Sequence, residues 1–239
     1  MSAARKGRTQ DASALAERLD SCLLPLHAER LRDLGPDGSG LFAHYAARVA
    51  QGAILDAADR DGLAYVLNVL PACDRYVVYR AGLGELGLAL ALAGRKVTLW
   101  EPNGARREAI ALGIEALSKT NRSLRARLTL AEAPMDSISL EPGETSLGIA
   151  FTLLLDADPG PLQAATVVLS RHTALLYGPR HLLRAGPAGT EAAAADLLAK
   201  AGYLSFKPGA PHGLILATRE AAPTRRPPGK FSFLPDRRP

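Results

Sequence analysis

The feature that most constrains the fold is an alternation of short β-rich segments with helical segments from residue 75 onwards. The strand-like segments are 76–79, 97–100, 128–130, 147–153 and 174–177, and helical patterns occupy 85–93, 103–117 and 161–170 between them. Strands that are joined through helices pair in parallel, and their crossovers are right-handed. The nearly apolar segment 147–153 is typical of a strand that is buried on both faces. The alternation therefore predicts an α/β fold with a doubly wound, mostly parallel sheet.

The last two strand-like segments break this parallel pattern. Residues 203–207 and 214–218 both have strand character, and only residues 208–213 connect them. A six-residue connection is too short for a parallel crossover, so the two segments must form an antiparallel hairpin. The sequence thus predicts a seven-stranded sheet that ends in a C-terminal antiparallel hairpin.

The first part of the chain has helical periodicity only. Apolar residues recur at steps of three and four over 11–34, and further helices are predicted over 41–58 and 63–70. We therefore divide the chain into four consecutive parts. These are a flexible basic N-terminal tail (1–10), an N-terminal helical cap (11–72), the α/β domain (73–220), and an extended Pro/Arg-rich C-terminal tail (221–239).

The positive charge lies in the tails. The net charge is +5, but residues 1–10 carry +3 and residues 221–239 carry +4, so residues 11–220 carry −2. Such tails are expected to make at most weak contact with anionic surfaces. Aromatic residues make up only 5% of the chain, which disfavours a base-stacking platform, so no specific nucleic acid is predicted.

Composition also limits the location and the chemistry. No apolar run approaches 18 residues, and no apolar stretch follows the basic residues at the start, so neither a membrane span nor a secretory signal is expected. The two cysteines, Cys22 and Cys73, lack the spacing of metal ligands. We therefore expect a cytoplasmic protein with reduced thiols and no metal site.

A glycine turn followed by an acid is the most informative local pattern. Gly82 and Gly84 lie between the first strand and a helix, where glycine lets backbone N–H groups approach an anionic ligand. Glu101 ends the second strand, in the place from which doubly wound sheets bind the hydroxyls of a ribose. With Gly87 included, the unit also fits the dinucleotide fingerprint. The pattern alone thus predicts an adenosine-containing cofactor but does not decide whether it is a dinucleotide or another adenosine derivative.

A longer stretch favours one of them. The segment beginning at Gly82, GLGELGLALALAGRKVTLWEPN, closely resembles the first motifs of the class I S-adenosylmethionine-dependent methyltransferases. The matching positions are Gly84-Glu85-Leu86, Gly94 and Glu101-Pro102-Asn103. Residues 150–159 resemble the segment after strand 4 of that family, and the predicted hairpin matches the end of its sheet. The resemblance covers residues 75–220.

The resemblance implies S-adenosylmethionine as cofactor and a small-molecule or lipid-like acceptor. It implies a cofactor site formed by Arg80, Gly82, Gly84, Glu101, Pro102, Glu132 and Thr152. In that site Glu101 would bind the ribose, and Glu132 would lie near the adenine amine. An acceptor hydroxyl also needs a general base, for which Asp156 and His181 are candidates, with Asp158 close by. His44 and Tyr45 are expected in the region where the family places its substrate lid.

The first motif departs from the pattern of the family. Val78 replaces the usual acid, Arg80 replaces the first glycine, and Gly148 lies near the place of an acid in strand 4. Arg80 either pairs with the carboxylate of the cofactor or fills the space of its methionyl group. Two alternatives to an active methyltransferase therefore stay open. One is a protein of the same fold that has lost catalysis and acts as a binding or regulatory partner, and the other is a nicotinamide- or flavin-binding Rossmann protein.

Overall fold

The structure is a computed structural model that describes residues 11–35, 39–132, 134–150, 168–177, 191–208 and 213–219. The helices are α1 Ala12–Leu34, α2 Ser39–Gln51, α3 Ala57–Asn68, α4 Glu85–Leu92, α5 Gly104–Thr120 and α6 Glu191–Lys200. The strands are β1 Arg75–Tyr79, β2 Val97–Trp100, β3 Leu128–Ala131, β4 Ser146–Ala150, β5 Ala174–Tyr177, β6 Ser205–Pro208 and β7 Ile215–Thr218. The predicted strand 147–153 is thus described up to residue 150, and most of the predicted helix 161–170 lies outside the described residues.

The seven strands form one sheet in the order β3-β2-β1-β4-β5-β7-β6. Strands β1 to β5 pair in parallel, whereas β7 runs antiparallel to both β5 and β6. The mixed α/β class, the seven strands and the C-terminal antiparallel hairpin are therefore confirmed. The dinucleotide-binding fold has the strand order 3-2-1-4-5-6, with no antiparallel strand inserted beside the fifth strand.

Helix α4 is completely buried and packs directly on the sheet. All eight of its residues are buried, as expected for the run of leucine and alanine over 85–92. Gly87 permits the close approach, because a Cβ atom at this position would lie 2.0 Å from Cδ2 of Leu99 on β2. The helix therefore holds the loop that precedes it in a fixed position over the edge of β1.

The N-terminal helices pack against the α/β part of the chain. Helix α1 contacts α2, α3, α4 and α5, and its buried residues Ala16, Leu19 and Leu23 share one apolar core with residues of α4 and the sheet. The N-terminal helical cap is confirmed, whereas its boundary at residue 72 stays a prediction. No helix among the described residues combines the length and the apolar character that crossing a membrane requires.

The helix boundaries after α1 differ from the prediction. Instead of one helix over 41–58, α2 ends at Gln51, and α3 begins at Ala57 rather than at residue 63. Gly52 adopts a left-handed conformation with φ of 59°, which ends α2. The side chain of Asp56 accepts a hydrogen bond from the Asp59 amide and so caps α3. Local capping at these two residues therefore divides the predicted helix.

Gly148 on β4 has a packing role. A Cβ atom at this position would lie 2.7 Å from Cδ2 of His172, which is fully buried beneath the strand. The His172 ring lies within hydrogen-bond distance of the Tyr79 hydroxyl (2.6 Å) and the Ser146 hydroxyl (3.0 Å). Burial lowers the pKa of His172 to about 4, so the ring is neutral at physiological pH. Glycine at position 148 is thus required by a buried polar network.

Candidate functional site

The turn between β1 and α4 has the backbone geometry that its glycines predict. Gly82 and Gly84 have φ angles of 64° and 84°, in the left-handed region that side chains rarely adopt. Gly84 precedes the first residue of α4, and a Cβ atom there would lie 3.2 Å from the Ile110 side chain on α5. Of this turn, the half-buried Gly82 is the part that reaches the surface of the carboxyl end of β1, while Gly84 is buried against α5.

Glu101 follows β2 and its carboxylate faces the glycine turn. Its Oε2 atom accepts a hydrogen bond from the Gly82 amide at 2.9 Å, and its Oε1 atom accepts one from the Asn103 amide at 3.0 Å. The residue is only 2% exposed. An ionised carboxylate has about four acceptor positions, so each oxygen keeps the capacity for a further donor. The predicted ribose acceptor thus lies against the turn with acceptor capacity left.

Arg80 occupies the position between β1 and the turn. Its φ is 52°, which makes it the one non-glycine residue with positive φ in the described part of the chain. Such a conformation normally favours glycine, the residue that the family pattern has at this position. Burial lowers the pKa of Arg80; nearby Glu101 opposes this effect and Arg106 adds to it. The substitution is therefore accommodated with backbone strain and with a partly desolvated charge.

A cavity of about 180 Å³ lies between the turn, α2 and α3. Six charged or titratable residues line it, and they come from four helices and the segment after β1. They are His44, Arg48, Asp59, Arg80, Glu85 and Arg106. Its apolar lining includes Val78 on β1, Leu86 on α4 and Ile149 on β4. The cavity thus lies at the carboxyl ends of the central parallel strands, where open α/β sheets bind their ligands.

A buried ion cluster forms one wall of this cavity. The Glu85 carboxylate lies 3.4 Å from Nε of Arg48 and 3.6 Å from Nε2 of His44, and it accepts a hydrogen bond from the Leu83 amide at 3.1 Å. Burial by itself raises the pKa of Glu85, but the neighbouring His44 ring and the Arg48 charge outweigh it and lower the pKa. Glu85 is therefore a fixed negative charge that ties α2 to the turn.

Asp59 differs from Glu85 although both lie near the same arginine. Its carboxylate lies 3.4 Å from a terminal nitrogen of Arg48. Burial, together with the negative charges of Asp56 and Glu85, raises the pKa of Asp59 to about 7. A carboxyl group with such a pKa exchanges its proton near physiological pH, which suits a general base. The cavity thus contains one permanent and one titratable carboxylate.

The structure brings only some of the predicted site residues together. Arg80 and Gly82 line the cavity, and Glu101 contacts Gly82. Pro102 is exposed, and Glu132, one residue beyond β3, is exposed as well and lies outside the cavity lining. Thr152, Asp156 and His181 lie outside the described residues, as does Asp158.

The two residues that were expected in the lid region, His44 and Tyr45, lie in different environments. His44 lines the cavity beside Glu85. Tyr45 is 1% exposed and packs edge-on against the His27 ring, with the ring centroids 4.7 Å apart. Of the two, only His44 faces the cavity.

Sequence reasoning missed three charged residues of the cavity, Arg48, Asp59 and Arg106. The sequence does carry a signal for the first of these. Leu41, Tyr45 and Arg48 follow one another at steps of four and three, so a charged residue continues the inward face of α2. A charged residue on a buried helix face requires a partner, and here the partners are Glu85 and Asp59.

Comparison with known proteins gives a result at the level of structure only. No protein-family model and no curated sequence matches the chain. The TehB-like SAM-dependent methyltransferase from Corynebacterium glutamicum is 11% identical with a TM-score of 0.55, over 78% of this chain and 100% of that one. The glycopeptide N-methyltransferase MtfA, complexed with S-adenosyl-L-homocysteine, is 14% identical with a TM-score of 0.51, over 69% and 90%. The chain has the class I methyltransferase fold.

A third structure, that of the pyocyanin biosynthetic protein PhzM, is larger. It is 14% identical with a TM-score of 0.53 over 76% of this chain, and the chain spans 59% of its length. At such identities the shared property is the class I methyltransferase fold. Within that fold, the cavity described above lies beside the glycine turn after β1 and below the N-terminal helices.

Proposed function

We propose that the protein is a cytoplasmic S-adenosylmethionine-dependent methyltransferase that acts on a small-molecule or lipid-like acceptor. The observation that carries this proposal is the buried Glu101 carboxylate, which faces the Gly82 amide across the gap between β2 and β1. A sheet of this fold places a nucleoside at that junction, with its sugar on the acid after β2. MtfA, which has the same fold, has been solved with S-adenosyl-L-homocysteine.

The residues at the junction fit the parts of the cofactor. The free acceptor capacity of Glu101 suits the ribose hydroxyls, and Gly82 lines the cavity with backbone that carries no side chain. The Arg80 guanidinium, which lines the cavity, suits the carboxylate of the methionyl group. Glu132 is proposed near the adenine amine, and Pro102 and Thr152 remain proposed contacts. When bound, the cofactor supplies an electrophilic methyl group, and the protein must align the acceptor with it.

The cavity suggests where a small acceptor binds. Its volume of about 180 Å³ is below the range of about 300–1,000 Å³ typical of drug-sized ligands, so it suits a small group. Asp59, with a pKa of about 7, and His44 both line it and are candidates to accept a proton from the acceptor. Asp156 and His181 remain further candidates for this role.

The two alternatives lead to different binding results. A nicotinamide- or flavin-binding protein is disfavoured by the antiparallel β7 beside β5. A protein that has lost catalysis would rest on Val78 and Arg80, both of which line the cavity. Such a protein would not transfer a methyl group, and restoring the residues of the family pattern in Val78→Asp/Arg80→Gly should raise its affinity for the cofactor.

Isothermal titration calorimetry with S-adenosylhomocysteine and S-adenosylmethionine tests the proposal. We expect binding to the full chain, loss of binding in Glu101→Ala, and unchanged binding in Glu115→Ala, an exposed glutamate on α5. Circular dichroism and thermal melting establish that the variants fold, and Glu101→Gln keeps the shape of the side chain if Glu101→Ala unfolds. Absence of binding of either ligand at millimolar concentration, or equal binding in the two alanine variants, would reject the proposal.

A further inference from the structure

A concentration of positive charge lies at the edge of the sheet opposite the cavity. Two segments, 93–100 and 116–131, together hold six cations and no acid: Arg95, Lys96, Lys119, Arg122, Arg125 and Arg127. Parallel pairing of β2 with β3 places Val97 opposite Leu128, and the Val97 amide donates to the Arg127 carbonyl at 2.7 Å. The two segments therefore meet at the amino ends of these strands, and we refer to the six cations as the basic edge.

These cations lack close ion-pair partners within the described part of the chain, although Asp74, just before β1, lies near enough to Lys96 for the two charges to interact. None of the six side chains forms an ion pair there. Lys96, Lys119, Arg122 and Arg125 are exposed, and the Arg95 guanidinium lies 6.0 Å from the Tyr76 ring. Residues 11–220 have a net charge of −2, so the basic edge is a local segregation of charge and not a reflection of average composition.

A groove of about 500 Å³ continues the basic edge towards α1. Arg18 on α1 and Arg127 before β3 both line it, with Leu92 and Gly94 between them. Asp11 also lines the groove, but its Oδ1 atom caps α1 by accepting hydrogen bonds from the amides at positions 13 and 14. In the sequence, three further cations, Arg5, Lys6 and Arg8, precede Asp11.

We propose that the basic edge and its groove bind the phosphate backbone of a nucleic acid without reading its bases. Segment 116–131 contains no aromatic residue, and Trp100 lies at the far end of β2, so base stacking is not available at this edge. Val69 and Leu204, the large apolar residues that are exposed among those described, lie outside both segments, so the two segments offer no exposed large apolar group for insertion into a bilayer. A concave groove with cations on two walls fits a chain of phosphates better than a planar membrane.

This surface is separate from the proposed methyltransferase site. Strand β2 runs from Val97 at the basic edge to Trp100, next to Glu101. At about 3.3 Å per residue, the two ends of the strand lie roughly 10 Å apart on opposite edges of the sheet. A bound backbone thus leaves the cavity accessible, and loss of nucleic-acid binding is distinguishable from loss of cofactor binding.

Fluorescence anisotropy with a labelled 20-base-pair DNA duplex tests this inference on the full chain. We expect a dissociation constant of about 1–100 μM near 0.1 M salt, and a plot of log affinity against log salt with a slope of about −4. The double variant Arg122→Glu/Arg125→Glu should bind at least about tenfold more weakly, with the slope smaller by about two. The control Arg32→Glu/Lys200→Glu changes the net charge equally at exposed positions outside the basic edge and should bind like the parent.

Each remaining outcome counts against the inference. If the control variant loses as much affinity for the duplex as the double variant, net charge alone explains the binding. If the double variant binds the duplex as tightly as the parent, the contact lies in the terminal tails. Tighter binding to phosphatidylserine vesicles than to the duplex, with the same sensitivity to the double variant, would identify a membrane surface instead. No binding of the duplex at 50 mM salt would refute the inference.

A control separates this surface from the proposed cofactor site. Calorimetry with S-adenosylhomocysteine should give the same affinity for the parent and for the double variant.

Discussion

Replacing Arg80 with glycine tests how the protein contacts the methionyl end of its proposed cofactor. Arg80 lines the cavity and lies close enough to Glu101 for the two charges to interact. Two ligands separate its effects, because S-adenosylhomocysteine carries an amino-acid carboxylate and methylthioadenosine lacks it. If the guanidinium binds that carboxylate, Arg80→Gly should weaken only the first ligand.

The size of the effect follows from the chemistry of the contact. A hydrogen bond between charged groups contributes about 1.5–3 kcal/mol, and about 1.4 kcal/mol corresponds to a tenfold change in affinity. Arg80 is partly buried, so solvent screens the contact only in part. We therefore expect calorimetry to give about ten- to a hundredfold weaker binding of S-adenosylhomocysteine and an unchanged affinity for methylthioadenosine.

The same position allows the backbone effect to be separated from the charge. Arg80 has a φ of 52°, and a non-glycine residue in this region is strained by about 1 kcal/mol or more. Arg80→Gly relieves the strain but increases the entropy of the unfolded chain, which costs about 0.4–1 kcal/mol. Arg80→Ala keeps the strain and removes the charge. Both variants should lose the same affinity, with a stability difference between them of at most about 1 kcal/mol by urea unfolding.

Two results would refute this reasoning. Tighter binding of S-adenosylhomocysteine to Arg80→Gly would mean that the arginine occupies the place of the methionyl group. Equal weakening of both ligands would mean that the substitution acts on the turn and the ribose contact rather than on a carboxylate.

Three further predictions concern stability. Gly87→Ala should destabilise the fold by about 1–3 kcal/mol, because its Cβ would overlap Leu99, whereas the exposed Gly104→Ala at the start of α5 should not; equal melting temperatures would contradict this. Burial lowers the pKa of His172 to about 4, so the unfolded chain binds the extra proton, and the contribution of His172 to stability should fall by about 2 kcal/mol from pH 7 to pH 5. The difference in the free energy of urea unfolding between the parent and His172→Gln should shrink by that amount from pH 7 to pH 5, and a difference that does not change with pH would contradict this. The pKa of Asp59 is raised to about 7, so its contribution to stability declines as the pH rises from about 4 to 7. Asp59→Asn should therefore gain stability relative to the parent over that range, and a constant difference would refute the shift.

The sequence by itself determined the class of fold and the position of the glycine turn. Strand and helix periods are local properties, so β2 and β5 have the bounds that were predicted, and the short connection over 208–213 required an antiparallel hairpin. The left-handed glycines and the acid after β2 are also local signals, because each depends on backbone conformation within one turn. Their contact at 2.9 Å follows once the two strands pair.

Tertiary structure decided which side chains share the cavity. Arg48, Asp59 and Glu85 come from three different helices, and no sequence interval predicts that a single arginine lies within 3.5 Å of both acids. It also decided that Gly148 makes room for His172, a requirement set by a ring 24 residues away. Burial and proximity between distant segments set these properties, and both arise only when the packed core has brought the segments together.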